Sequence, residues 1–253
     1  MRLAKALALP TVFVLAAELW FRGPGSDSES LAAPSAVMVA LVQALGDGTL
    51  ALATWQTLFA ALCGMAIGVG LGLILGFMIG LSRTAIALSM PTIELFRPIP
   101  SPALIPLVML IYGFGYRFEV AIVAFATFWP SLILAQAAAG QVEPRLLEVS
   151  KVLGLSTRQR LWKIVLPAAM PRIFVALRLA AGIALVVAVT VEIAANPQGL
   201  GYMLMIAQQT LRPELMLAAL LWVGLIGWGV NAGLNALQSR LFRHQRVLVE
   251  ARP

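Results

Sequence analysis

Glu94 and Arg97 stand three residues apart in an otherwise apolar stretch, a spacing that puts both on one face of a helix. There they can neutralise each other and fix a broken helix, or take part in gating or passing an anion. Pro98 and Pro100 follow at once, and prolines at that density keep the chain from continuing as a plain helix. Farther on, Glu192 and Asn196 mark the end of another apolar run, just ahead of Gly199. They either hold that corner together or touch a solute. An ionisable group in apolar surroundings is costly to keep, so each of these is a candidate for a pathway.

Other chemistries lack their parts. Cys63 and His244 are the only residues of their types, which excludes a disulfide framework, a Cys/His zinc site and a Ser-His-Asp triad at membrane depth. Cys63 falls in an apolar run and reads as a packing residue, whereas His244 lies between Arg243 and Arg246 in the tail. A phosphate-binding loop needs Gly-Lys-Ser/Thr, yet Lys5, Lys151 and Lys163 follow Ala4, Ser150 and Trp162. With no metal-ligand cluster and no base beside a nucleophile, the chain is expected to bind no cofactor and to catalyse no reaction by itself.

The elements that position these residues follow from composition. Of 253 residues 60% are apolar and 11% charged, with a mean hydropathy of +0.92, where a soluble domain carries about 25% charged residues. A hydrocarbon core of about 30 Å takes roughly 20 helical residues. Charge-free runs at 58–81, 98–116, 120–142 and 215–239, together with 173–191 and an N-terminal apolar stretch over 6–17, predict about six transmembrane helices. The run 98–116 holds four prolines, so its early part is expected to be irregular and packed against protein. Arg178 in 173–191 is expected close enough to one end to snorkel. Residues 34–56, broken by Gly46-Asp47-Gly48, read as a surface-lying helix pair. Three tryptophans within the runs, Trp129, Trp222 and Trp228, read as packing or lipid contacts.

The organisation expected is therefore a first helix and outer segment over 1–57, a membrane core over 58–242 with a cytoplasmic loop at 141–172, and a basic tail over 243–253. With the N-terminus inside, most of the 18 Lys and Arg fall on the inner side, while Asp27, Glu29, Asp47, Glu119 and Glu214 fall outside. Orientation in a membrane thus accounts for the net charge of +7, and nucleic-acid binding is not needed to explain it. Both termini are expected in the cytoplasm.

Two patterns remain. Glycines at 64, 68, 72, 76 and 80 recur every fourth residue, which makes a smooth stripe on one helix face where another backbone can approach closely. That approach is either packing within the chain or a moving or subunit contact. The loop 141–172 looks ordered: Pro144 suits a first helical position, Leu146, Val149, Val152 and Leu153 form an apolar stripe, and Gly154 stands where a helix would be capped. Ser156 with Gln159 forms a capping box for a second short helix expected to end at Leu166-Pro167. An apolar stripe with no lipid to cover it asks for a partner surface.

These residues carry a resemblance. Glu148-Val149-Ser150, Gly154 and Ile164-Val165-Leu166-Pro167 resemble the cytoplasmic signature of binding-protein-dependent ABC importer permeases, Glu-Ala-Ala, three residues, Gly, nine residues, Ile-x-Leu-Pro. The spacing matches throughout, with Val149 and Ser150 standing for the two alanines. Arg97-Pro98-Ile99-Pro100 and Gly199-Leu200-Gly201-Tyr202 are similar to stretches in permeases for nitrate, taurine, alkanesulfonates and bicarbonate. The resemblance implies a type I importer permease fold in the bacterial inner membrane. It also implies a second copy of the permease, two cytoplasmic ATPases that handle the ATP, an extracytoplasmic binding protein, surrounding lipid and a small anionic solute. It implies that the segment docks on the ATPase, with Arg145, Glu148 and Lys151 setting polar register and Leu146, Val149, Val152, Leu153 and Leu155 beside them. The alternative carried from the residues alone is a secondary transporter driven by an ion gradient, for which Glu94 and the proline-rich run supply one broken element without a matching copy.

Overall fold

Thr49–Gly80 forms one helix of 32 residues, about 48 Å long at 1.5 Å per residue. In the computed structural model, which describes residues 2–23, 30–140 and 152–241, every regular element is helical. In chain order these are α1 (Arg2–Arg22), α2 (Pro34–Gly46), α3 (Thr49–Gly80), α4 (Arg83–Phe96), a 3-10 turn (Ser101–Leu104), α5 (Ile105–Tyr112) and α6 (Tyr116–Gly140). After the loop come α7 (Thr157–Arg160), a π-helical segment (Leu161–Val165), α8 (Leu166–Ala194), α9 (Gly199–Gln209) and α10 (Pro213–Leu241).

Among the described residues four helices are long and apolar enough to cross a membrane: α3, α6, the stretch Trp162–Ala194 and α10. A fifth crossing is available if α4 and the pair formed by the 3-10 turn and α5 count together, although they bend by 76° at the proline-rich break. That break is the irregularity expected from Pro98, Pro100, Pro102 and Pro106. Helix α1 forms but falls short of that measure, its Glu18 instead accepting the Ser35 N–H at 2.8 Å and hydroxyl at 2.6 Å while pairing with Arg22. These bonds tie α1 to the start of α2.

Three expectations need correction. Residues 49–56 are not a surface-lying helix; they are the first two turns of α3, because their polar side chains find partners inside the protein. Only α2 stands as a separate short helix, ended by Asp47, whose Oδ1 accepts the Thr49 N–H at 2.9 Å and hydroxyl at 2.7 Å. Those two donors hold the Asp47 carboxyl below the ordinary aspartate range. Second, the helix that starts at Thr157 does not end at Leu166-Pro167 but runs on through a π turn into α8. Pro167 follows the π turn directly, at the second residue of α8, where the wider turn accommodates it. Third, Arg178 is not near the end of its span, since about three turns of α8 lie below it; its Nε–H is instead donated to Asn231 Oδ1 of α10 at 2.8 Å.

The core forms where α3 lies on α6. Gly64, Gly68, Gly72, Gly76 and Gly80 all face α6, so the stripe is packing within the chain. A methyl added at Gly64 would come 2.6 Å from Val123 Cβ, at Gly72 2.6 Å from the Phe128 carbonyl and at Gly80 2.5 Å from the Gln136 carbonyl. Helix α8 closes the other side of α6, burying Phe118, Ile122 and Val123 against Ala184, Ala188 and Val191. Helix α10 is the least covered: 11% of its apolar window is buried within the chain, which leaves most of it for lipid or another chain.

Candidate functional site

At the corner where α8 turns into α9, four helices are joined by polar side chains, of which Thr57, Glu119, Glu192 and Asn196 are buried and Gln56 is half-buried. The Glu192 side chain leaves the last turn of α8 and its Oε2 accepts the Thr57 hydroxyl of α3 at 3.0 Å and the Gly201 N–H of α9 at 2.8 Å. Thr57 Oγ1 in turn accepts the Leu200 N–H at 2.9 Å, and Gln56 Oε1 accepts the Gly199 N–H at 2.9 Å. These three amides belong to the first turn of α9, where a helix has no internal acceptors for its N–H groups, so α3 and α8 supply them. Asn196 completes the corner: its Nδ2–H is donated to Glu119 Oε2 of α6 at 2.8 Å and its Oδ1 accepts the Gly115 N–H at 2.9 Å.

Glu192 and Asn196 both lie at this corner, buried, and each is bonded to groups of the chain itself. Glu119, expected on the outer side of the membrane, is fully buried within the protein. Nothing next to it in sequence marks it for burial; the side chain that bonds to it, Asn196, is 77 positions away. The available signal was Gly199-Leu200-Gly201. An added methyl at Gly199 would meet the Glu192 carboxyl, and one at Gly201 would lie 2.6 Å from Glu192 Cβ. Both glycines are absences shaped around one side chain.

Gly199 also has φ +84°, a conformation that opposes any Cβ. Gly199→Ala is therefore expected to destabilise the folded protein by about 3 kcal/mol, combining left-handed strain with the displaced Glu192 hydrogen bonds. Thermal melting of the purified protein in detergent checks this against Gly182→Ala in α8, where an added methyl meets nothing within 4 Å.

Glu94 and Arg97 do not pair. Among the described residues the ion pairs are Glu18–Arg22 and Arg212–Glu214. Glu94 and Arg97 are exposed on the same wall of a cavity of about 380 Å³ between α4 and α6, whose other sides include Met90, Ile93, Ile133 and Gln136. Pro98 and Pro100 lie just beyond, exposed at the break. Trp129 backs this region, stacking on Phe96 with ring centroids 6.0 Å apart and planes 4° from parallel. Trp222 donates its Nε1–H to Thr54 Oγ1 at 2.8 Å, while Trp228 is exposed.

In the loop, Arg145, Leu146, Glu148, Val149, Ser150 and Lys151 lie outside the described residues, as does the helix expected from Pro144. Beyond them, Val152 and Leu153 are 87% and 66% exposed, and Gly154 has φ +64°, the left-handed turn expected of a helix cap. Leu155 is half-buried. The capping box forms: Gln159 N–H is donated to Ser156 Oγ at 3.3 Å and Ser156 N–H to Gln159 Oε1 at 3.0 Å. Ile164, Leu166 and Pro167 lie on the continuous helix leading into the membrane.

Comparison with known proteins bears on both family and fold. Residues 68–247 match the model of a family described as binding-protein-dependent transport system inner membrane component. The taurine transport system permease protein TauC of Escherichia coli (strain K12) is 32% identical over 213 residues, 82% of this chain and 78% of that one. A putative aliphatic sulfonates transport permease protein, SsuC of Bacillus subtilis (strain 168), is 28% identical over 94% of this chain and 87% of its own length. In fold, the chain resembles a chain from the inward-facing MetNI methionine ABC transporter with a TM-score of 0.60 and 19% identity, over 72% of this chain and 93% of that one.

Proposed function

The chain belongs to the family of binding-protein-dependent transport system inner membrane components, and on that premise we propose that two copies of it enclose a solute pathway, driven by cytoplasmic ATPases docked just ahead of Gly154. Membership makes it a multi-pass inner-membrane permease subunit of an ABC importer, working with an ATPase and a binding protein. It displaces the ion-gradient reading.

The observation that carries the docking reading is the pair Val152 and Leu153. Exposed apolar side chains on a segment outside the candidate membrane spans need a partner surface, and they precede a left-handed turn at Gly154. Beyond it one helix runs from Thr157 through the π segment to Ala194, so a displacement at the docking segment is transmitted as a lever into the membrane core. ATP-driven closure of two ATPases would then rock the paired permeases between outward and inward openings. The solute proposed is a small sulfonate-like anion, in keeping with the relatives' names. Arg97, lining the α4–α6 cavity, offers it a positive group, and Glu94 on the same wall would reorient that group or oppose it. Both termini are proposed to lie in the cytoplasm.

The test is affinity purification from gently solubilised native membranes with mass spectrometry of bound chains. A P-loop ATPase should co-purify in a one-to-one ratio, with two copies of each per particle. A stable particle containing only this chain would overturn the reading.

A further inference from the structure

The two buried carboxyl groups at the α8–α9 corner pose a problem of charge that their packing alone does not solve. Glu119 and Glu192 have no exposure to solvent, and their carboxyl groups lie within hydrogen-bonding reach of each other. Each has one oxygen satisfied: Glu192 Oε2 by Thr57 and Gly201, Glu119 Oε2 by Asn196. The other oxygen of each, Oε1, has no hydrogen-bond partner. Among the described residues no lysine, arginine or histidine pairs with either. From α3 the facing groups are Gln56 and Thr57, from α9 they are Leu200 and Gly201, and Gln198 faces Glu119 from the link between α8 and α9. Tyr202 is the other titratable group bordering the adjoining cavity.

Two anions in contact and away from water repel strongly, and neither has a cation to offset its lost hydration. One positive charge is missing from the arrangement. We propose that Glu119 and Glu192 share a single proton, held between their two otherwise unpartnered oxygens, and that this proton is a second link, beside the Asn196 bond, joining α6 to the α8–α9 corner.

The surroundings decide between a proton and a metal ion. Thr57 O–H, Gly201 N–H and Asn196 N–H all point hydrogens at the pair. A hard metal cation needs about six oxygen ligands, and here two oxygens remain open among donors that would repel it. The proton also has a direction. Glu192 Oε2 already accepts two hydrogen bonds, which suits the ionised partner, so the Glu119 carboxyl is the donor. Glu119→Gln therefore preserves the link, because an amide N–H can donate to Glu192 while its carbonyl still accepts from Asn196.

The experiment is infrared spectroscopy of the full-length protein in lipid nanodiscs at pH 8, in water and in heavy water, where exposed carboxyls are ionised. The wild type should show the carbonyl stretch of one protonated carboxyl. Glu119→Gln should lose that band completely while its melting temperature stays that of the wild type. Absence of the band in the wild type, or its survival in both Glu119→Gln and Glu192→Gln, overturns the proposal. So does a wild-type melting temperature that rises with sodium chloride relative to choline chloride at equal ionic strength, which would make the site a metal site.

Discussion

Valine in place of Gly68 should leave little folded protein in the membrane. Even the first added carbon would meet the Ala124 carbonyl and the Thr127 hydroxyl, so the obstacle is the backbone of α6 and not the movable end of a side chain. The two helices would have to separate, and the neighbouring glycines lock the same interface above and below, at Gly64 against Val123 and at Gly72 against Phe128 and Ser131. Overpacking a tight core costs about 1–3 kcal/mol where side chains can yield, and more is expected where they cannot. Against a total stability of roughly 5–15 kcal/mol that loss is large. Membrane abundance and gel-filtration behaviour in detergent read it out. Gly70→Ala, two residues away on the same helix but with nothing within 4 Å, should be tolerated. Equal damage from both variants would mean that helix α3 cannot accept substitution at all, and the close-approach account would fail.

Gly154→Pro should abolish substrate-stimulated ATP hydrolysis by the assembled importer without lowering the amount of permease in the membrane. Proline fixes φ near −65°, whereas Gly154 has φ +64°, so the turn that aims Val152 and Leu153 cannot form. A graded series makes the test sharper. Gly154→Asn should retain most coupling, since asparagine enters the left-handed region more readily than other residues with a Cβ, and Gly154→Ala should fall between, at a cost of about 1–2 kcal/mol. Glu148→Arg should act like the proline variant by reversing a charge in the docking segment. Normal stimulation in both Gly154→Pro and Glu148→Arg would remove the docking assignment.

Much of the architecture was readable from local pattern. The four-residue glycine period named the face of α3 that another helix must approach, and Ser156 with Gln159 marked a helix start that forms as expected. What local pattern could not supply was partnership across distance. Thr54, Gln56 and Thr57 look like surface residues to any hydropathy measure, yet they receive the Trp222, Gly199 and Leu200 N–H groups and begin a membrane helix. Charge placement gave Glu119 a side of the membrane but not its burial, because the side chain that bonds to it, Asn196, lies 77 positions on. Pro167 looked like a stop because proline usually breaks a helix, but the wider π turn over Leu161–Val165 comes just before it and the helix continues past it. The family, by contrast, was legible in the loop signature, because that spacing belongs to one short contiguous stretch.

The bond from Leu200 N–H to Thr57 links residues separated by 143 positions. A ribosome adds about 5–20 residues per second, so Thr57 is made roughly 7–30 s before its partner exists. During that interval its hydroxyl can rest on the Ala53 carbonyl one turn back, 3.1 Å away in the finished protein. Assembly of this corner is therefore a late event in the life of the chain, timed by translation, and a nascent permease arrested before Gly199 would hold its glycine-packed helices together while the corner that joins them stays open.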